Sequence, residues 1–291
     1  MKKLYTAGLA LFLLAGCGQV QNEDPQSTGD KTKDEQTDEV KDSVDKSTSD
    51  QNNEENNNLE EEPTVEQGET NTEEEMVVEK TPQYKVNEAN WSIEPITDAN
   101  EKVVLLTIDD APDQHALQMA TTLKELKAPA IFFVNGHFLD TPEEKEIVKK
   151  IHEMGFLIGN HTYSHSSLPD LTQEEQKEEI LSINKIVEEV IGEKPKFFRA
   201  PFGQNTDFSK ELVAQEGMIL MNWTYGYDWE AKYQTKEALA DIMVNTPYLN
   251  NGANLLMHDR SWTNEALSDI VNGLRKKGFE IVDPELIQTT I

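Results

Sequence analysis

From residue 103 onward the chain alternates short apolar runs with longer stretches in which apolar positions recur every three or four residues. The runs are VVLLTIDD (103–110), AIFFVN (130–135), FLIGNH (156–161), FFRAP (197–201), MILMNWT (218–224), NLLMHD (254–259) and FEIVDP (279–284). Nearly continuous apolar strands separated by helices predict a parallel sheet buried on both faces. The clearest helices are predicted over 142–154, 172–191, 207–216, 236–245 and 263–277, several opened by Thr or Asp and the last closed by Gly278. Seven such units favour an α/β fold of one kind, a distorted and incomplete (β/α) barrel with about seven parallel strands, over an open doubly wound sheet.

The first quarter of the chain has a different character. Residues 21–75 hold only Val40, Val44, Leu59 and Val65 as hydrophobics, and residues 18–80 carry 21 acidic against 5 basic side chains. So little apolar surface cannot offset chain entropy, and the stretch is expected to be a disordered acidic tether. From residue 81 to the end 34 acidic side chains face 19 basic ones, which disfavours a nucleic-acid partner bound by phosphate neutralisation. A single cysteine excludes a disulfide scaffold and a multi-cysteine zinc finger.

That cysteine has a telling position. Met1-Lys2-Lys3 precedes a mostly apolar run from Leu4 to Gly16, which matches a secretory signal and is too short to span a bilayer. Cys17 follows Leu14-Ala15-Gly16 directly, a sequence that resembles the bacterial lipobox, in which the thiol takes a diacylglyceryl group. The expected organisation is a signal peptide over 1–16, a lipidated Cys17 with an acidic linker over 17–90, and a catalytic domain over 91–291. The domain would then sit outside the cytoplasm, anchored to a bacterial membrane. The alternative is a soluble secreted protein with an incidental thiol.

The polar residues fall at one end of the strands. Asp109-Asp110, His161, Arg199, the segment around Asp228, and His258 each lie at or just beyond the carboxyl end of a different strand region, where α/β folds build their sites. His161 and His165 are four apart and face one point if the turn between them is helical. With a neighbouring carboxylate they make a nitrogen and oxygen shell that suits Zn2+, and Co2+, Ni2+ or Mn2+ would also fit. Neighbours in an extended strand point oppositely, so one of Asp109 and Asp110 can bind metal while the other does something else. Alternatively Asp110 N-caps a helix with Pro112 near its start. His258 stands at a strand tip where Asp228 could orient and charge it, Arg199 could grip a carboxylate through its planar fork, and Trp229 suits a packing wall. His115, His137 and His152 are taken as ordinary histidines.

Five segments in order, TIDDAP (107–112), HTYSH (161–165), RAPFG (199–203), YGYDW (225–229) and LLMHD (255–259), resemble the motifs of the polysaccharide deacetylases of carbohydrate esterase family 4, the NodB-homology domains, over about 103–284. The resemblance implies Asp109 as catalytic base, Asp110, His161 and His165 as ligands of one divalent ion, Arg199 holding Asp109, and Asp228 tuning His258 as general acid. It further implies that Phe202 offers its backbone N–H to an oxyanion and that Pro201, Trp229 and Leu256 contact substrate. The implied reaction is removal of N-acetyl groups from an amino-sugar polymer. For a protein tethered outside a bacterial membrane that polymer is cell-wall peptidoglycan, and no protein partner is legible. Chitin-like oligomers, O-acetyl esters and a non-catalytic glycan-binding role remain open. Two positions depart from the family pattern: Ala111 stands where Gly is usual, and Tyr225 where Asp often begins the fourth motif.

Overall fold

The computed structural model describes residues 80–289, save Thr97. Cys17, the signal segment and almost all of the expected linker lie outside the described residues. Among the described residues no helix is long and apolar enough to cross a membrane.

The elements are β1 (Tyr84–Val86), β2 (Ile93–Pro95), β3 (Val103–Ala111), α1 (Ala116–Glu125), β4 (Ile131–Val134), α2 (Pro142–Glu153), β5 (Leu157–Asn160), α3 (Gln173–Ile191), β6 (Phe197–Phe198), α4 (Asp207–Gln215), β7 (Ile219–Leu220), β8 (Tyr225–Gly226), α5 (Lys236–Asn245), β9 (Ala253–His258), α6 (Ser261–Lys276) and β10 (Glu280–Ile281). The sheet runs β7-β6-β5-β4-β3-β9-β8, with β10 alongside the start of β3, and every pair in it is parallel. β7 and β8 are four residues apart in sequence yet stand at opposite ends of that path. The connecting segment bridges them: the Met221 N–H donates to the Phe198 carbonyl and the Thr224 N–H to that of Asn254. The sheet is therefore curled into an incomplete barrel, as the strand and helix alternation predicts.

Alternation along β3 sorts its side chains. Val103 and Leu105 join Ile131, Phe133, Leu157 and Phe197 in one core inside the barrel, while Val104, Leu106 and Ile108 join the helices in another outside it. Higher up the inner face the same period places Thr107 and Asp109, which are buried but polar. β1 and β2 form an antiparallel hairpin that straddles the expected boundary at residue 90, so that β1, expected in the linker, belongs to the folded domain, and the hairpin's Tyr84 and Ile93 close the lower end of the inner core. The hairpin is tied down where Ile93 N–H meets the carbonyl of Gly252. A Cβ at Gly252 would lie 2.2 Å from the Ile93 oxygen, and its φ of +76° excludes most other residues as well.

Helix starts follow local chemistry. Thr141 with Glu144, and Thr172 with Glu175, form reciprocal capping boxes at α2 and α3, and Thr235 caps α5. The helix α1, absent from the clearest predicted set, has His115 at its N-cap with no side-chain cap of its own.

Candidate active site

The polar residues expected at strand ends meet at the carboxyl rim, around a cavity of about 560 Å³ that Asp109, Asp110, His161, His165, Asp228 and His258 all line. Arg199 is beneath it with no exposed surface. One of its terminal nitrogens donates to Asp109 Oδ1 (2.6 Å) and to Thr107 Oγ1 (2.8 Å). The other terminal nitrogen and Nε reach the carbonyls of Asn222 and Met221. Arg199 thus grips Asp109 with one arm and spends its remaining donors on backbone, where the sequence suggested a two-pronged grip. Its flat face rests on the Phe133 ring at 4.3 Å. Burial pushes the Asp109 carboxyl above its ordinary range, with the Arg199 charge pulling the other way.

Asp110 departs from the expected alternation. Its φ is +58° and the pairing of β3 with β4 shifts register between Ile108 and Ala111, so the strand twists and both neighbouring carboxylates reach the same histidine. His161 Nε2 lies 3.5 Å from Asp109 Oδ2 and 3.8 Å from Asp110 Oδ1. Asp110 does not cap α1 either, since its Oδ2 accepts from Arg260 at 2.8 Å. Ala111 is outside the positive-φ set; the left-handed residue is the aspartate before it, so the extra methyl meets no backbone strain.

The two histidines come together by a route other than a helical turn. Thr162 and His165 both have positive φ, and the resulting loop brings the rings to 5.0 Å between centroids. His165 Nε2 is 3.5 Å from Asp110 Oδ1, and one ligand atom from each of Asp110, His161 and His165 lies within 4.8 Å of the others. His161 Nδ1 is 2.7 Å from the Arg199 carbonyl. A carbonyl only accepts, so Nδ1 carries the proton and Nε2 presents a lone pair. Burial, the largest influence, holds the His161 pKa down to about 3. A neutral imidazole lone pair facing a carboxylate oxygen needs a cation between them, and the residues therefore fit a divalent metal ion.

Across the cavity His258 Nδ1 is 2.7 Å from Asp228 Oδ1. The other Asp228 oxygen accepts from the His258 backbone N–H (2.6 Å) and from Thr263 Oγ1 (2.8 Å). Burial lowers the His258 pKa, but the Asp228 bond and charge, helped by Asp109 and Asp110, outweigh it and leave the imidazole above its usual value. Trp229, 48% exposed, sets its ring perpendicular to that of His258 at 5.6 Å. Phe202, with a φ of +58° and 61% exposed, packs edge-on to His165 at 4.9 Å. Leu256 lines the floor.

Two expectations change. Pro201 is buried in the turn before Phe202 and does not line the cavity. Tyr225 is buried under α5, donating its hydroxyl to the Met243 carbonyl at 2.8 Å, so the fourth-motif departure faces the helices and not the substrate. Contributors to the cavity wall were missed, Ala200 among them. Trp223, Gln234, Trp262 and Arg260 complete the wall, and only the position of Arg260, directly after the HD pair, gave any signal. Asp259, the last residue of LLMHD, has a structural part that the motif does not reveal. Its carboxylate accepts the backbone N–H groups of Asp113, Gln114, His115 and Ala116 at 2.6–3.1 Å, and so fixes the loop that follows Asp110.

Comparison with known proteins agrees with this geometry. The family model described as polysaccharide deacetylase matches residues 97–221, a span that includes Asp109, Asp110, His161, His165 and Arg199 and stops before Asp228 and His258. A peptidoglycan-N-acetylglucosamine deacetylase of Bacillus cereus is 30% identical over 191 residues, covering 63% of this chain and 86% of that one. The peptidoglycan-N-acetylmuramic acid deacetylase PdaC of Bacillus subtilis is 30% identical over 209 residues, of which this chain spans only 42% of the full length. A solved structure of PdaC superposes with a TM-score of 0.56 at 30% identity, covering 64% of this chain and 89% of the solved one. A family 4 pseudoenzyme of Bacillus anthracis matches with a TM-score of 0.57 at 27% identity, covering 62% and 65%.

Proposed function

Because the chain belongs to the polysaccharide deacetylase family, we propose that it hydrolyses N-acetyl groups on the amino sugars of peptidoglycan and releases acetate. The observation that carries this reading is the Asp110, His161 and His165 cluster with Asp109 on one side and the Asp228–His258 pair on the other. These residues would hold one divalent ion, with Zn2+ best suited to two imidazoles and a carboxylate. Such an ion supplies a Lewis acid for the acetamide carbonyl and lowers the pKa of water.

The protein's own groups divide the remaining work. Asp109, fixed by Arg199, accepts the proton of the attacking water, and its burial makes it a stronger base than an exposed aspartate. The Phe202 backbone N–H serves the developing oxyanion, a donor worth roughly 3 kcal/mol when well placed. His258, whose pKa Asp228 raises, gives a proton to the departing amine. Trp229 and Leu256 enclose the acetyl group and exclude water. The sugar nitrogen leaves as an amine, so the product glycan gains positive charge.

The test measures acetate released from N-acetylchitooligosaccharide and from purified peptidoglycan, with and without chelator. Asp109→Asn should lower kcat by about 10²–10⁴-fold while leaving metal content near one ion per chain. Mass analysis of the glycan fragments should show a loss of one acetyl on a defined sugar. The relatives divide between N-acetylglucosamine and N-acetylmuramic acid, so both are substrates to offer. The pseudoenzyme neighbour favours one rival, a glycan-binding protein that keeps the fold. Glycan binding with no acetate from either substrate under any divalent metal would establish that rival instead. We also infer that Cys17 is lipidated and tethers the domain over 91–291 outside the membrane through the acidic linker. On that reading Cys17→Ser moves the protein from the membrane fraction to the medium, and an unchanged distribution would refute the anchor.

A further inference from the structure

A second concavity of about 630 Å³ opens on the side of the barrel where β7 ends the sheet. It runs between α4, β7 and the β1–β2 hairpin, from Lys85 and Trp91 at the lower end to Asn205 and Asn222 at the upper. Gly203 and Asn222 line it, and their chain neighbours Phe202 and Trp223 line the catalytic cavity. The two depressions are therefore lined by consecutive residues at two places, so the second neighbours the catalytic cavity.

The lining indicates what kind of ligand the groove takes. In a domain with a large acidic excess, this groove presents Lys85 and Lys210 against Glu88. Lys85 stands 3.9 Å from Glu94, and Lys210 has no ion pair among the described residues. Between them the wall is apolar, with Val213 and Leu220. The outer edge of β7 pairs with no strand among the described residues, and open edges of this kind bind extended peptides through main-chain hydrogen bonds. The buried amide oxygens of Asn205 and Asn222 find no donor among the described residues. Trp91 has a φ of +65°, a conformation that asparagine or glycine usually fills. A bulky ring kept there at a cost to the backbone, and lining the groove, is the kind of outlier that accompanies binding.

We propose that this groove receives the acidic peptide carried by the glycan, with its carboxylates at Lys85 and Lys210 and its backbone along Trp91 and the outer edge of β7. The proposal rests on the peptidoglycan reading above and deepens it, since it makes the peptide-bearing glycan the preferred substrate over the bare one. The experiment compares three substrates: peptide-bearing soluble glycan fragments, the same fragments with the peptide removed by an amidase, and N-acetylchitooligosaccharide. Wild type should show a kcat/KM about fivefold higher on the peptide-bearing fragments than on the stripped ones, expressed in KM, and Lys85→Ala/Lys210→Ala should abolish that difference. Rates on chitooligosaccharide should not change. Equal wild-type rates with and without peptide, or a variant that slows all three substrates alike, would overturn the proposal. Titration of the free acidic peptide, followed by the NMR shift of the Trp91 indole N–H, reads the groove without turnover. A saturable shift that the double variant loses supports the groove even if no acetate is released, and no shift in wild type refutes it.

Discussion

At the scale of single residues the site is a set of paired groups whose environments differ. Asp109 and Asp110 are adjacent in sequence, yet one is buried against Arg199 while the other turns through a left-handed φ toward two histidines. Burial lowers the His161 pKa while the Asp228 carboxylate raises that of His258, so two imidazoles on one rim are shifted in opposite directions. The pH dependence follows with a definite sign. A general acid at His258 is lost as pH rises through its pKa, and Asp228 raises that pKa. Asp228→Asn removes the raising charge, so the alkaline limb of the kcat/KM profile should move to lower pH, which a rate profile on one defined substrate would show. An unmoved limb would assign that limb to another group.

At the scale of elements, sequence reading succeeded where the start signals are local. α2 and α3 announce themselves through Thr141–Glu144 and Thr172–Glu175, and their predicted bounds fall within a residue or so of those observed. α1 carried no such signal because its cap comes from Asp259, 144 residues from His115 in the chain. Removing that carboxylate leaves four N–H groups without their acceptor and frees the loop beside Asp110. Asp259→Ala should cost about 2 kcal/mol in urea unfolding and weaken metal binding, whereas Asp259→Asn, which retains one acceptor oxygen, should cost less. β5 offers a second test. A Cβ at Gly159 would lie 2.5 Å from the Phe133 ring, the same ring on which the Arg199 guanidinium rests. Gly159→Ala should lose roughly 1–3 kcal/mol of stability and lower kcat as well, since the displaced ring sits beneath the Arg199–Asp109 pair.

At the scale of the whole molecule, a divalent ion held by Asp110, His161 and His165 would tie together strand ends that are far apart in sequence, so its binding should stabilise the fold. At a free-ion concentration one hundred times Kd the gain is about 2.7 kcal/mol, or roughly 5–10 °C in Tm for a domain of this size. His161→Ala should abolish that shift in a thermal melt with added Zn2+, and a preserved shift would place the ion elsewhere.

The order of apolar runs, the helix caps and the five motifs determined, from the sequence alone, that this is a parallel α/β barrel with its polar residues at one rim, because strand period and capping are local and each residue's neighbours decide them. The tertiary structure alone decided how those residues meet. The turn that brings Asp110 to the side of Asp109, the left-handed loop that aligns His161 with His165, the burial of Pro201 and Tyr225, the reach of Asp259 to α1 and the groove beside β7 all depend on contacts between segments distant in the chain. Their cause is packing, which sequence periodicity does not encode.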